Sequence, residues 1–315
     1  MQRFSAQTGV LYIILAMLGY SFLPVFLDNL TKEGFIPQQI AALRFIVATP
    51  AFWALIYLIG DRSLATRKPE RPLPLLALFG FGVIMSVEAI LSFIGFQQIP
   101  AGTYAVIFYV YPVLVAVFSL FFGERLSNWG WLALGLTFIG IILSSPNFSE
   151  GFQSGSFLGV GIALFNAFMI AWYFILSARV LKVHKAVARI SAWIVTSAGI
   201  ILFFFTLLTG TFAIPQTASA WLNVIALAFI STVFPFFLQN TGVEKIGASR
   251  ASIVGTIEVL LMAIWGQVFL SQVILPIQWV GGALILGSVI LLQLRGNIKS
   301  SSETLIIPEP SGDSL

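Results

Sequence analysis

The stretch ASRASIVGTIEVLLMAIWGQVFL, residues 248–270, is the key to the fold. It runs for 23 residues with charge only at Arg250, near its start, and at Glu258, near its middle. At about 1.5 Å per residue, a helix of that length crosses the roughly 30 Å hydrocarbon core of a bilayer. Glu258 then lies at the midplane, about 11 residues in. A carboxylate at that depth costs several kcal/mol unless it faces the bundle interior, a wet cavity or a partner.

The rest of the 315-residue chain has the same character. Lys and Arg number 16, Asp and Glu 12, and 58% of the residues are apolar. A charged fraction of 9% against the roughly 25% of soluble domains excludes a soluble enzyme, a nucleic-acid binder and a disordered scaffold. With no Cys, there is no disulfide, thiol chemistry or Cys-held metal to expect. Charged and turn-forming clusters divide the chain into ten candidate spans: 9–28, 37–59, 73–96, 101–122, 128–144, 156–178, 189–209, 220–240, 248–270 and 275–294. Apolar residues run around each, as in helices within lipid or a bundle, without the short alternation of membrane β-strands. The first span reads as uncleaved rather than as a signal peptide. Residues 296–315, rich in Ser, Pro and acids, are expected to be a disordered cytoplasmic tail.

Basic residues set the orientation. With a cytoplasmic N-terminus, 14 of the 16 Lys and Arg fall in cytoplasmic segments, Lys32 alone faces outward, and Arg44 lies within a span. The expectation is a multi-pass protein of the cytoplasmic membrane, with both termini cytoplasmic.

At a fixed offset of 147 residues the halves match weakly but consistently. Ala101 meets Ala248, Phe122 meets Phe269, Gly135 meets Gly282 and Gly140 meets Gly287. A duplicated unit with an odd number of spans inserts its second copy upside down. The expected architecture is therefore all-α, with ten transmembrane helices as two inverted five-helix repeats, residues 1–150 and 151–295. Secondary transporters built this way hold their substrate near the midplane between the repeats.

Several motifs carry a family likeness. They are Ala42-Leu43-Arg44-Phe45 in span 2, Ala101-Gly102 leading to Tyr111-Pro112 in span 4, and Gly123-Glu124-Arg125-Leu126 before the glycine-spaced span 5. The chain resembles the ten-span EamA-type members of the drug/metabolite transporter superfamily. It departs from their pattern at Glu258-Val259, where the family often has Glu-Pro, and at Leu270-Ser271-Gln272, where a second Gly-Glu is usual. The resemblance implies a cavity lined by spans 1–4 and 6–9, spans 5 and 10 at the periphery, and transport of small organic solutes, often export of amino acids or related metabolites.

Three ionisable residues lie well inside predicted spans: Arg44, Glu88 and Glu258. Arg44 and Glu88 sit at similar depth on consecutive antiparallel spans, which permits an ion pair. They would close an outer gate, bind a zwitterion or form a static packing pair, or Arg44 would snorkel outward alone. Glu258 is a candidate proton carrier or ammonium acceptor, with Tyr111 as its counterpart at the repeat offset; its bland alternative is a hydrogen-bonded Glu joining helices. Tyr104, Phe108, Tyr111 and Val115 share one helical face of span 4, either as a cavity stripe or as packing. Asn166, Gln239, Asn240 and Gln267 suit helix packing as readily as solute binding. Trp172 and Tyr173, with Tyr20 and Phe22, are candidate aromatic walls for a flat substrate or simply packing, and Trp265 is a weaker candidate. Pro24, Pro50, Pro112 and Pro235 are candidate kinks.

No Walker loop, metal-ligand spacing or nucleotide-binding segment occurs, so neither ATP-driven pumping by this chain nor a cofactor is expected. The expected function is a secondary transporter of a small molecule, foremost an exporter of amino acids or related aromatic metabolites, embedded in lipid and with protons as a candidate coupling ion. Broad drug efflux, a membrane-embedded lipid enzyme and a non-transporting receptor or assembly subunit are the alternatives.

Overall fold

The computed structural model describes residues 2–59, 71–99, 101–123, 126–144, 157–271, 273 and 275–295. The tail from 296 onward, Arg125 and most of the first basic loop lie outside them. The described residues form helices joined by short connections, with no strand among them. Six helices are unbroken: α3 (Pro37–Ile59), α4 (Leu75–Gln98), α7 (Asn128–Ser144), α8 (Phe157–His184), α9 (Val187–Leu208) and α14 (Pro276–Arg295). The other apolar stretches each contain two. These are α1 (Gln2–Tyr20) with α2 (Leu23–Lys32), and α5 (Ala101–Phe108) with α6 (Tyr111–Leu120). Further on, α10 (Ala218–Ala228) is joined to α11 (Phe234–Ile246), and α12 (Ala248–Gly255) to α13 (Ile257–Leu270).

Eight of these units are long and apolar enough to cross a membrane, while Asn128–Ser144 and Pro276–Leu292 are shorter apolar helices. The chain is a multi-pass membrane protein. Among the described residues, eight of the expected ten spans meet that length and composition, and α7 and α14 are the two shorter candidates.

Three prolines explain where helices restart. Pro24, Pro112 and Pro235 each stand second in their helix, at α2, α6 and α11. There the missing N–H is not needed and the fixed φ suits the first turn. Pro50 does not act as expected: it sits on the exposed face of α3, which runs through it unbroken. The break at Thr256 has no proline. Gly255 precedes it, and the Thr256 hydroxyl donates to the Ile253 carbonyl at 2.6 Å, a local bond that competes with the helical ladder. Residues 109 and 256 are 147 apart, so this pair of breaks obeys the repeat offset. The break after Tyr20 and the π turn Phe229–Val233 do not, since α8 and α4 are continuous at the corresponding places.

The packing pairs follow the same correspondence. α1 lies on α11 as α8 lies on α4, α9 packs against both α3 and α4, and α7 packs against α14. One apolar core runs through nearly all the helices. Beyond it, α2 is tied to α10: the Glu33 carboxylate accepts from the Thr217 and Ser219 hydroxyls at 2.7 and 2.9 Å, and Asn29 donates to Asn223 at 3.2 Å.

The α7–α14 contact depends on small residues. A Cβ at Gly140 would stand 2.7 Å from the Gly281 carbonyl oxygen and 2.8 Å from Ile285 Cγ1, whereas one at Gly135 would meet nothing within 4 Å. Nearby, the Thr137 and Ser288 hydroxyls share a 2.6 Å hydrogen bond. Close backbone approach through small residues is the usual basis of helix association in lipid. The glycines that match at the repeat offset are therefore not used alike: Gly140 and Gly282 meet neighbours, while Gly135 and Gly287 face open space. Overpacking at Gly140 is expected to cost about 1–3 kcal/mol. Gly140→Ala should lower the thermal unfolding midpoint in detergent and Gly135→Ala should not. Equal midpoints for the two variants would contradict the close contact.

Candidate functional site

A cavity of about 620 Å³ opens between α1, α2, α3, α4, α5, α6, α8, α11 and α13. Of the residues expected at a site, Glu258, Glu88, Arg44, Tyr20, Tyr104, Phe108 and Tyr111 all line it.

The charged groups have defined partners. Arg44 reaches across from α3 to the π turn, where Nε donates to Thr232 Oγ1 and Nη2 to the Ser231 carbonyl, both at 2.6 Å. Its Cζ lies 5.4 Å from the centroid of the Phe45 ring. Glu88 Oε1 accepts from the Ser92 hydroxyl at 3.0 Å. Glu258 Oε2 accepts from the Tyr109 hydroxyl at 3.3 Å.

Two points that the sequence leaves open take definite form here. Arg44 and Glu88 share the cavity but form no ion pair, because the guanidinium is held by the polar groups of the π turn instead. The phenol that meets Glu258 is Tyr109, not Tyr111, whose hydroxyl points to the Ser252 carbonyl at 3.5 Å. The strict helical stripe through Tyr104, Phe108 and Tyr111 omits Tyr109. The turn at residues 109–110, just before Pro112, rotates the chain so that Tyr109 joins the same wall.

The wall is aromatic. Tyr111 stacks on Phe174 with centroids 5.5 Å apart, and Phe108 packs edge-on against Tyr109 at 5.5 Å. Tyr173, which also lines the cavity, donates to Asn240 Oδ1 at 3.0 Å, and Asn240 donates on to Ser191 at 2.9 Å. Each buried phenol thus has an apolar body and a satisfied tip.

Several candidates lie outside the lining: Asn166, Trp172 and Trp265, and also Phe22, Val115, Asn240 and Gln267. Asn166 is buried behind the lining, donating to the Tyr104 hydroxyl at 2.6 Å and to Ser92 Oγ and the Glu88 carbonyl at 3.2 Å. It holds the wall rather than forming it. Trp172 points away from the cavity and stacks on Phe118 at 5.6 Å, since adjacent helical residues diverge by about 100° and Tyr173 faces inward. Trp265 stacks on Phe22 at 4.4 Å and donates to Ser21 Oγ at 2.9 Å, which pins the break between α1 and α2. Ser92, Thr232 and Ser231 were not singled out from sequence. Small hydroxyl residues in apolar runs carry little signal, and only Pro235 marked the distorted segment.

The cavity thus offers two carboxylates, one guanidinium and flat apolar walls. It can hold a small organic molecule with an apolar body and polar ends. Comparison with known proteins shows the family. The chain matches the EamA-like transporter family over residues 7–145 and again over 157–294. It belongs to that family. An uncharacterized transporter of Archaeoglobus fulgidus is 29% identical over 71% of this chain and 77% of its own length. YcbK of Bacillus subtilis, also named an uncharacterized transporter, is 24% identical over 88% and 89%. YedA of Escherichia coli, named an uncharacterized inner membrane transporter, is 22% identical over 91% and 90%. A solved crystal structure covers 91% of this chain and 97% of its own with a TM-score of 0.76 at 18% identity, a likeness of fold.

These findings make the EamA protein a membrane transporter, and the wall geometry gives a direct test. A metabolite that binds the folded protein raises its thermal midpoint. For such a ligand, Tyr173→Leu should abolish the stabilisation and Trp172→Leu should retain it. The opposite pattern would place the binding surface elsewhere.

Proposed function

We propose that the chain is a secondary transporter that moves a small organic solute through this cavity by alternating access, with residues 1–150 and 151–295 acting as two inverted five-helix halves. The observation that carries the reading is the cavity itself, which gathers Arg44 and Glu88 from one half and Glu258 from the other within one aromatic enclosure. Helix breaks at 109–110 and 256, related by the repeat offset, adjoin the lining residues Tyr109 and Glu258. Irregular backbone at membrane depth is tolerated where it lines such a space.

The cargo in this reading is an amino acid or a related aromatic metabolite, and the direction is export. The carboxylates suit an ammonium group, the guanidinium suits a carboxylate, and the rings suit a flat body. Glu258 receives the ammonium or carries a coupled proton. Broad drug efflux is the second reading, favoured by the size and aromatic lining of the cavity. The distribution of Lys and Arg supports both termini in the cytoplasm.

In proteoliposomes, Glu258→Gln should reduce cargo flux by about tenfold or more, the scale of one lost hydrogen bond to a charged group, while the protein stays folded and inserted. Unchanged flux would remove Glu258 from the mechanism. A rate independent of pH in the unsubstituted protein would count against proton coupling. Reporter fusions at both ends should read cytoplasmic, and a periplasmic signal from either end would overturn the orientation.

A further inference from the structure

The π turn Phe229–Val233 is where one half grips the other. Its backbone is widened: the Phe234 N–H bonds back to the Phe229 carbonyl, five residues away. The Thr232 hydroxyl donates to the Leu227 carbonyl at 3.2 Å, and the Ser231 hydroxyl donates to the Gly19 carbonyl at 2.9 Å. Gly19 is required there, since a Cβ would stand 2.5 Å from the Ile230 carbonyl oxygen. Ser231 and Thr232 are both fully buried.

In a regular α-helix the Ser231 carbonyl would accept from the N–H of residue 235. That residue is Pro235, which has none. The carbonyl is left with acceptor capacity, and Arg44 Nη2 takes it while Nε takes Thr232 Oγ1. A charged donor and a backbone acceptor, each costly alone in a dry bundle, satisfy one another. Proline, π turn and arginine form one device, and it joins α3 of the first half to the α10–α11 unit of the second.

We infer that Ser231, Thr232 and Pro235 are positioning residues for Arg44, and that this clasp is the bond between halves that breaks when the cavity changes its open side. The inference rests on the alternating-access reading and adds a named contact to it. Arg44 serves here as a latch whose resting partners are protein groups, so its bonds are remade in every cycle.

The test uses the absence of native cysteine. Leu27 and Gln239 line the cavity towards opposite ends of the antiparallel α1–α2 and α10–α11 pair. Leu27→Cys and Gln239→Cys therefore report access from the two ends through their reaction rates with a membrane-impermeant maleimide in proteoliposomes. Thr232→Val should shift the ratio of these rates by about tenfold, the scale of a hydrogen bond to a charged group. Arg44→Gln, which also gives up the bond to the Ser231 carbonyl, should shift it at least as far, and the double variant no further than Arg44→Gln, because partners in one bond are not additive. Thr232→Ser, which keeps the hydroxyl, should match the parent. Pro235→Ala, which supplies a competing N–H, should shift the ratio in the same direction.

An unchanged ratio in Thr232→Val, or fully additive effects in the double variant, would overturn the clasp. Should Arg44→Gln fail to insert, Thr232→Val against Thr232→Ser decides the matter alone. Labelling needs no cargo, so a clasp that fails this test and a transport activity that fails in Glu258→Gln are separate outcomes.

Discussion

Inside a bilayer a polar group finds no water, so every carbonyl, amide and charge must be satisfied by protein or face an internal space. That constraint explains most of what distinguishes this molecule from a uniform bundle of apolar rods. Where helices stop and restart, the freed groups are taken up locally. The Trp265 indole meets Ser21 at the first break, Arg44 meets Ser231 and Thr232 at the π turn, and Thr256 bonds back to Ile253. The carboxylates obey the same rule, each accepting from a hydroxyl at the cavity wall.

Seen from the sequence, this constraint is legible only where it leaves a strong residue-type signal. Apolar runs separated by basic loops mark the helices, and three ionisable residues inside those runs mark the cavity, because placing a charge there is so costly. Pro24, Pro112 and Pro235 mark three restarts. The rest depends on rotation about helix axes. A helix that is apolar all round gives no period from which to choose a face, so Trp172 and Tyr173 read alike although only one lines the cavity. The same blindness hides Tyr109, which enters the wall only because the chain turns beside it.

Ion pairing inside a span is also hard to foresee from depth alone. Arg44 and Glu88 stand at suitable depths to meet, yet the guanidinium has five donors in a rigid fork and finds a carbonyl and a hydroxyl on another helix. Which acceptor wins depends on a proline 191 residues away in sequence, a relation that no local pattern contains.

The π turn has no counterpart in α4, and the break after Tyr20 has none in α8. Two identical inverted copies would give inward- and outward-open forms of equal free energy, each the image of the other. Here one half carries a distorted, arginine-bound segment and the other a continuous α-helix at the matching place. In the proposed alternating cycle the two end states would then differ in energy, and the empty carrier would dwell unequally between them. Such a bias would give the proposed carrier a preferred side for loading, set by the architecture before any gradient is applied.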